Sequence, residues 1–147
     1  NIALACDFVL ASEQASFIQA FSKIGLIPDS GGTFFLPRII GLQKATALMM
    51  LGDKVSAQEA LQMGMIYKIF PVAFLEEEVM ALVTNLANMP TKALGLTKRL
   101  LNQSMNNSLE QQLALESDLQ IEASSSNDYK EGVTAFVEKR KPEFKGN

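Results

Sequence analysis

Asp29 is the residue of this chain best placed to move a proton. It stands in the run GLIPDSGGTFFLPRIIG, Gly25 to Gly41, between a proline and a glycine pair and just ahead of a helical pattern. Pro28 locks its own φ, while Gly31 and Gly32 permit a positive φ or a close approach of main chain to a ligand, so the turn can hold a carboxylate in one direction. A carboxylate aimed in this way can serve as general base and then as general acid. The same spacing also fits a helix cap, in which an Asp or Ser side chain accepts hydrogen bonds from the free amides of the first turn. The two roles compete, because a strongly capped carboxylate is a poor base.

Other chemistry is limited by composition. The chain of 147 residues has no histidine and one cysteine, Cys6. That excludes a disulfide framework, a typical zinc site and a Ser-His or Cys-His couple within the chain. Cys6 lies in an apolar run and is expected to be a buried thiol. Asp7 beside a strand and Glu13 in a turn are expected to be structural or solvated. The net charge is −3, and the only basic concentration is Lys139, Arg140 and Lys141, which argues against a nucleic-acid surface. With 48% hydrophobic residues the chain can bury one core. No apolar run approaches the roughly 18 residues of a membrane span, and no basic segment leads a cleavable one, so a soluble cytoplasmic protein is expected.

The elements that must position Asp29 follow from hydrophobic spacing. CDFVLAS and ASFIQ read as short strands separated by a turn over Ser12 to Gln14. GGTFFLPRIIG and QKATALMMLG read as helical pieces broken near Pro37 and Gly41. Ser56 with Glu59 forms a capping-box pattern, Gly64 is expected to close that helix, and MIYKIFP reads as a strand. From Phe74 onward the pattern is helical. Leu75, Val79, Leu82 and Leu86 share one face, and after Pro90 and Thr91 a second helix takes in Ala93, Leu96, Leu100 and Leu101. Ser108 with Gln111 repeats the capping-box pattern, and Asp128 with Glu131 is expected to cap a last helix bearing Val133, Phe136 and Val137. Residues 1–72 thus carry the strands and the Asp29 turn, and residues 73–147 a helical region. Asn1 opens directly into an apolar segment and is read as an internal residue of a longer polypeptide.

In this order, NIALACDFVLAS, ASF, GLIPDSGGTFFLPRIIG, LMMLGDKVSAQEALQMGMIYKIFP and YKEGVTAFVEKRKPEF resemble the C-terminal half of the crotonase superfamily, the enoyl-CoA hydratase and isomerase group. The resemblance implies an α/β fold of the ClpP/crotonase type, here a few short strands followed by a helical C-terminal region. An Asp in the PDSGG turn resembles the isomerases that act on ring-epoxidised phenylacetyl-CoA and form its oxepin isomer. It implies Asp29 as the proton-transfer residue, with the backbone amides that stabilise the enolate supplied from a missing N-terminal part upstream of Asn1. The two glutamates by which hydratases split water correspond to Asn1 and Phe21, neither of which can be a general base.

A hydratase-like GGTQRL has become GGTFFL, so Phe21, Phe34 and Phe35 become candidate walls for an aromatic acyl group, and Gly31 a point where main chain approaches it. Two adjacent phenylalanines on a helix also fit plain core packing. By the same resemblance Phe136 and Lys139 or Lys141 reach the coenzyme A of a neighbouring subunit in a homotrimer, often paired into a hexamer. Cations near a helix C-terminus are equally favoured by the helix dipole. Coenzyme A enters only as part of the acyl-CoA substrate, with no metal or redox cofactor implied. An enoyl-CoA hydratase or Δ3,Δ2-enoyl-CoA isomerase of fatty acid oxidation, and a non-catalytic assembly protein, are the alternatives.

Overall fold

A computed structural model describes residues 1–147. They form two compact units, residues 1–80 and 81–147.

The first unit contains four short strands, β1 (Leu10–Ser12), β2 (Ser16–Ile18), β3 (Lys54–Ser56) and β4 (Lys68–Phe70), and three helices, α1 (Gly32–Ile40), α2 (Leu42–Leu51) and α3 (Ala57–Gln62). β1 pairs in parallel with β4, Leu10 opposite Lys68 and Ser12 opposite Phe70. The ladder is prolonged by the Tyr67 amide donating to Val9 O and the Glu13 amide to Phe70 O, each at 2.8 Å. β2 and β3 run antiparallel with Phe17 opposite Val55. Leu4, Ala11, Leu36, Ile40, Ala45, Val55, Ala60, Met65 and Ile66 make one buried cluster, so residues from both strand pairs and all three helices share a core.

The strand expected over CDFVLAS is confined to Leu10–Ser12. Ahead of it Ala3–Ala5 forms a single 3₁₀ turn, which seats Leu4 in the core. Cys6 follows that bend and is exposed rather than buried. The break expected near Pro37 is also absent, because α1 runs through Pro37 and ends at Gly41, whose φ is 81°. Pro37 removes one helical hydrogen bond, but Leu36 beside it is fully buried and Ile40 lies one turn on, so packing on both sides of Pro37 holds the helix. α3 begins at the expected capping box: Ser56 Oγ accepts from the Glu59 amide at 3.2 Å, and Glu59 Oε2 accepts from the Ser56 amide at 2.8 Å. The Ser56 hydroxyl, donating to Glu59 Oε2 at 2.6 Å, and after it the Ser56 amide hold the Glu59 pKa below its usual value. α3 ends at Met63, one residue before Gly64, which takes a φ of 76°.

α4 (Leu75–Ala87) spans the division between the units. Beyond it lie α5 (Thr91–Ser104), α6 (Leu109–Ser124) and α7 (Asn127–Glu138), α6 contacting both α5 and α7. Leu75, Val79, Leu82 and Leu86 are half-buried together as their spacing requires. Leu101 is 65% exposed, because it follows Leu100 by about 100° around the helix and cannot share its face. Ser108 caps α6 with the expected box. α7 departs from expectation in its cap. The cap is Ser126, whose Oγ accepts from the Tyr129 amide at 3.0 Å. Val133, Phe136 and Val137 are exposed, and buried Ala135 marks the packed face.

Asp128 and Glu131, expected as caps, hold the tail. Asp128 is 3% exposed and accepts from the amides of Lys145 at 2.7 Å and Gly146 at 2.8 Å. Glu131 accepts from Arg140 through both oxygens, at 2.6 and 2.9 Å, and from the Glu143 amide at 2.8 Å. The Arg140 hydrogen bond, ahead of the Glu143 amide, holds the Glu131 pKa down to about 2, and Arg140 is raised in return. A carboxylate has two acceptor oxygens, and the folded-back tail offers several donors where the helix end offers one or two. No helix is long and apolar enough to cross a membrane.

Candidate active site

The Asp29 turn is built from two consecutive residues in the left-handed region, Ser30 at φ 49° and Gly31 at φ 76°. The Gly32 amide closes it by donating to Asp29 O at 2.8 Å, and Gly31 O accepts from the amides of Phe34 and Phe35, both at 2.9 Å. Gly31 is the N-cap of α1, and no side chain makes a capping hydrogen bond there. The Asp29 carboxylate is therefore not spent on capping. A Cβ at position 31 would sit 2.8 Å from Cε2 of Phe35, so both backbone and packing call for glycine.

Asp29 lines a cavity of about 380 Å³ with Asn1, Ile2, Ala3, Ile18, Gln19, Phe21 and Ser30. Three of these residues are joined: Asn1 Nδ2 donates to Asp29 O at 3.0 Å, and Gln19 Nε2 donates to Asn1 Oδ1 at 2.7 Å. Gln19 lies between β2 and the 3₁₀ turn Ala20–Ile24 and is 6% exposed. The lining thus combines the exposed Asp29 with apolar side chains, and a carboxamide chain reaches the Asp29 main chain.

Residues 1–147 match the enoyl-CoA hydratase/isomerase family model. The chain is 46% identical over 146 residues to the 1,2-epoxyphenylacetyl-CoA isomerase of Escherichia coli, an alignment covering 99% of this chain and 56% of the relative. It is 43% identical to a Rhodobacter capsulatus protein named "Probable enoyl-CoA hydratase", covering 99% of this chain and 57% of that one. The chain belongs to the enoyl-CoA hydratase/isomerase family. Among solved structures, enoyl-CoA hydratase subunit I of Geobacillus kaustophilus superposes with a TM-score of 0.94 at 36% identity, over 99% of this chain and 56% of that chain. The fold is the crotonase fold, and the chain spans about half the length of the relatives it matches.

In this crotonase frame the expected site residues fall into three places. Asp29 and Phe21 line one cavity, with Gly31 two residues from Asp29 in the same turn. Phe34 and Phe35 stand apart from that lining. Phe35 packs against the core, and Phe34 is half exposed with its ring 5.3 Å from that of Phe35 and the Arg38 guanidinium 3.7 Å above it. Phe136 and Lys139 lie in the second unit. Phe136 is 85% exposed at the edge of an apolar cavity of about 440 Å³ shared with Tyr129, Val133 and Phe144. Lys139 ends α7 in the left-handed conformation at φ 56°. Gln19 was missed by spacing. Its one signal is a carboxamide flanked by Phe17, Ile18 and Phe21 in an otherwise apolar stretch, and Asn1 gains a partner where its sequence position suggested only a lost acid.

Proposed function

We propose that this chain is the Asp29-bearing part of an acyl-CoA isomerase of the crotonase type, converting ring-epoxidised phenylacetyl-CoA to its oxepin isomer. The observation that carries the reading is Asp29, which lines a cavity together with Phe21 while Gly31, not Asp29, caps α1. Asp29 takes a proton from the carbon α to the thioester and the electron pair passes into the enolate. The carbon–carbon bond shared by ring and epoxide breaks as the ring expands. The protonated acid delivers its proton to the ring carbon γ to the thioester carbonyl, where the enolate returns the pair, leaving an exocyclic double bond conjugated to the thioester. Isomer and substrate have the same atoms, so a single carboxylate suffices for both transfers. The 46% identity to an epoxyphenylacetyl-CoA isomerase favours the aromatic substrate. Phe136 and Lys139 are proposed to meet coenzyme A across a homotrimer or hexamer, the exposed ring on the adenine and the cation on phosphate.

The test is turnover of the full-length protein on epoxidised phenylacetyl-CoA and on a 3-enoyl-CoA, with Asp29→Asn beside wild type. We expect turnover to fall about a hundredfold or more in Asp29→Asn while the thermal midpoint holds, since no cap is lost. Unchanged turnover overturns the role of Asp29. The second reading, hydration of an enoyl-CoA, is favoured by the 43% identity to the Rhodobacter protein. A product heavier than substrate by one water would select it.

A further inference from the structure

The chain of carboxamides behind Asp29 has a fixed direction. The carbonyl of Asp29 can only accept, so Asn1 must present its NH₂ there, at 3.0 Å. That leaves Asn1 Oδ1 facing Gln19, which must therefore present its own NH₂, at 2.7 Å. Gln19 Oε1 is then buried with no hydrogen-bond partner. Turning either amide would set acceptor against acceptor. Such an orphaned acceptor costs stability and calls for an explanation. Asn1 is also seated on α1, because a Cβ at Gly32 would fall on its side chain. The Asp29 turn, with Ser30 and Gly31 both left-handed, is thus gripped from outside at the carbonyl and at the first helical residue.

We propose that Gln19 is a positioning residue for Asp29, acting through Asn1. The inference rests on Asp29 as the proton-transfer residue. The carboxamide pair holds the main chain that carries the Asp29 side chain. Gln19→Met keeps length and volume while removing the bond to Asn1, whereas Asn1→Ala removes the link itself.

The experiment measures kcat and KM of the full-length protein for Asn1→Ala, Gln19→Met and the double variant, with Asp29→Asn in the same assay. Hydrogen exchange of the ligand-free protein is followed in the peptide carrying Gly32, whose amide bonds Asp29 O. We expect kcat to fall about tenfold or more in each single variant, as a displaced reacting group requires. KM should stay within about twofold of wild type, the double variant should lose no more kcat than the larger single loss, and Gly32 exchange should quicken in all three. Folded variants with kcat within about twofold of wild type, losses that multiply, or unchanged Gly32 exchange overturn the proposal. If Asp29→Asn keeps its turnover, the proton-transfer reading falls and the proposal with it. If Asp29→Asn is inactive while the carboxamide variants remain active, only the proposal falls.

Discussion

Gly31→Ala separates two reasons for a glycine in the Asp29 turn. The first is backbone: φ at Gly31 is 76°, a region that costs an L-residue about 1–2 kcal/mol. The second is packing, because the new methyl would lie 2.8 Å from Cε2 and 3.1 Å from Cδ2 of Phe35, a ring packed against the core. Overpacking of this kind costs about 1–3 kcal/mol, so the sum is about 2–5 kcal/mol. Gly25 provides the comparison, having a φ of 74° and no atom within 4 Å of an added Cβ. Gly25→Ala should therefore cost only the backbone share of about 1–2 kcal/mol. Urea denaturation of the full-length protein reads both values. Phe35→Leu gives the third arm: in that background the cost of Gly31→Ala should fall to that of Gly25→Ala. A Gly31→Ala cost no greater than that of Gly25→Ala would refute the packing contribution of the Phe35 ring.

Three further outcomes follow from the hydrogen bonding. Ser56→Ala removes the acceptor of the Glu59 amide and should cost about 0.5–2 kcal/mol by chemical denaturation, whereas Asp29→Ala, which breaks no cap, should cost less than about 0.5. Asp128→Asn turns one acceptor of the Lys145 and Gly146 amides into a donor, at a cost of about 1.5–3 kcal/mol. Limited proteolysis should then cut the C-terminal tail before the rest of the chain. Glu131 has its pKa lowered from 4.5 to about 2, so its pairing with Arg140 stabilises the fold fully above pH 4.5 and the contribution is lost as pH falls through about 2. The gap in denaturation midpoint between wild type and Glu131→Gln should be widest near neutral pH and close towards pH 2, and a gap that is flat across this range counts against the pairing.

Local chemistry made some parts of this protein legible from sequence alone. The capping boxes at Ser56 and Ser108 form as read, since each closes within three residues and needs nothing distant. The order of short strands and helices, and the carboxylate in its proline-glycine turn, are likewise short-range. Other features depended on partners far along the chain. Spacing allowed Asp29 to be cap or base, and the cap role falls away because Gly31 takes the left-handed cap position while Asn1, 28 residues away, holds the Asp29 carbonyl. Pro37 stays inside α1 because Leu36 is wholly enclosed by the core, a fact about neighbours that no helix propensity contains. Asp128 reads as a cap in a window of a few residues, yet it binds backbone 17 and 18 residues on. Gln19 is the clearest case: its type is visible in the sequence, but its burial, its bond to Asn1 and its empty acceptor arise only when β2, the Asp29 turn and the start of the chain come together. Side chains that satisfy the backbone beside them are set by the local sequence, whereas those that satisfy groups brought near by folding are set by the tertiary structure.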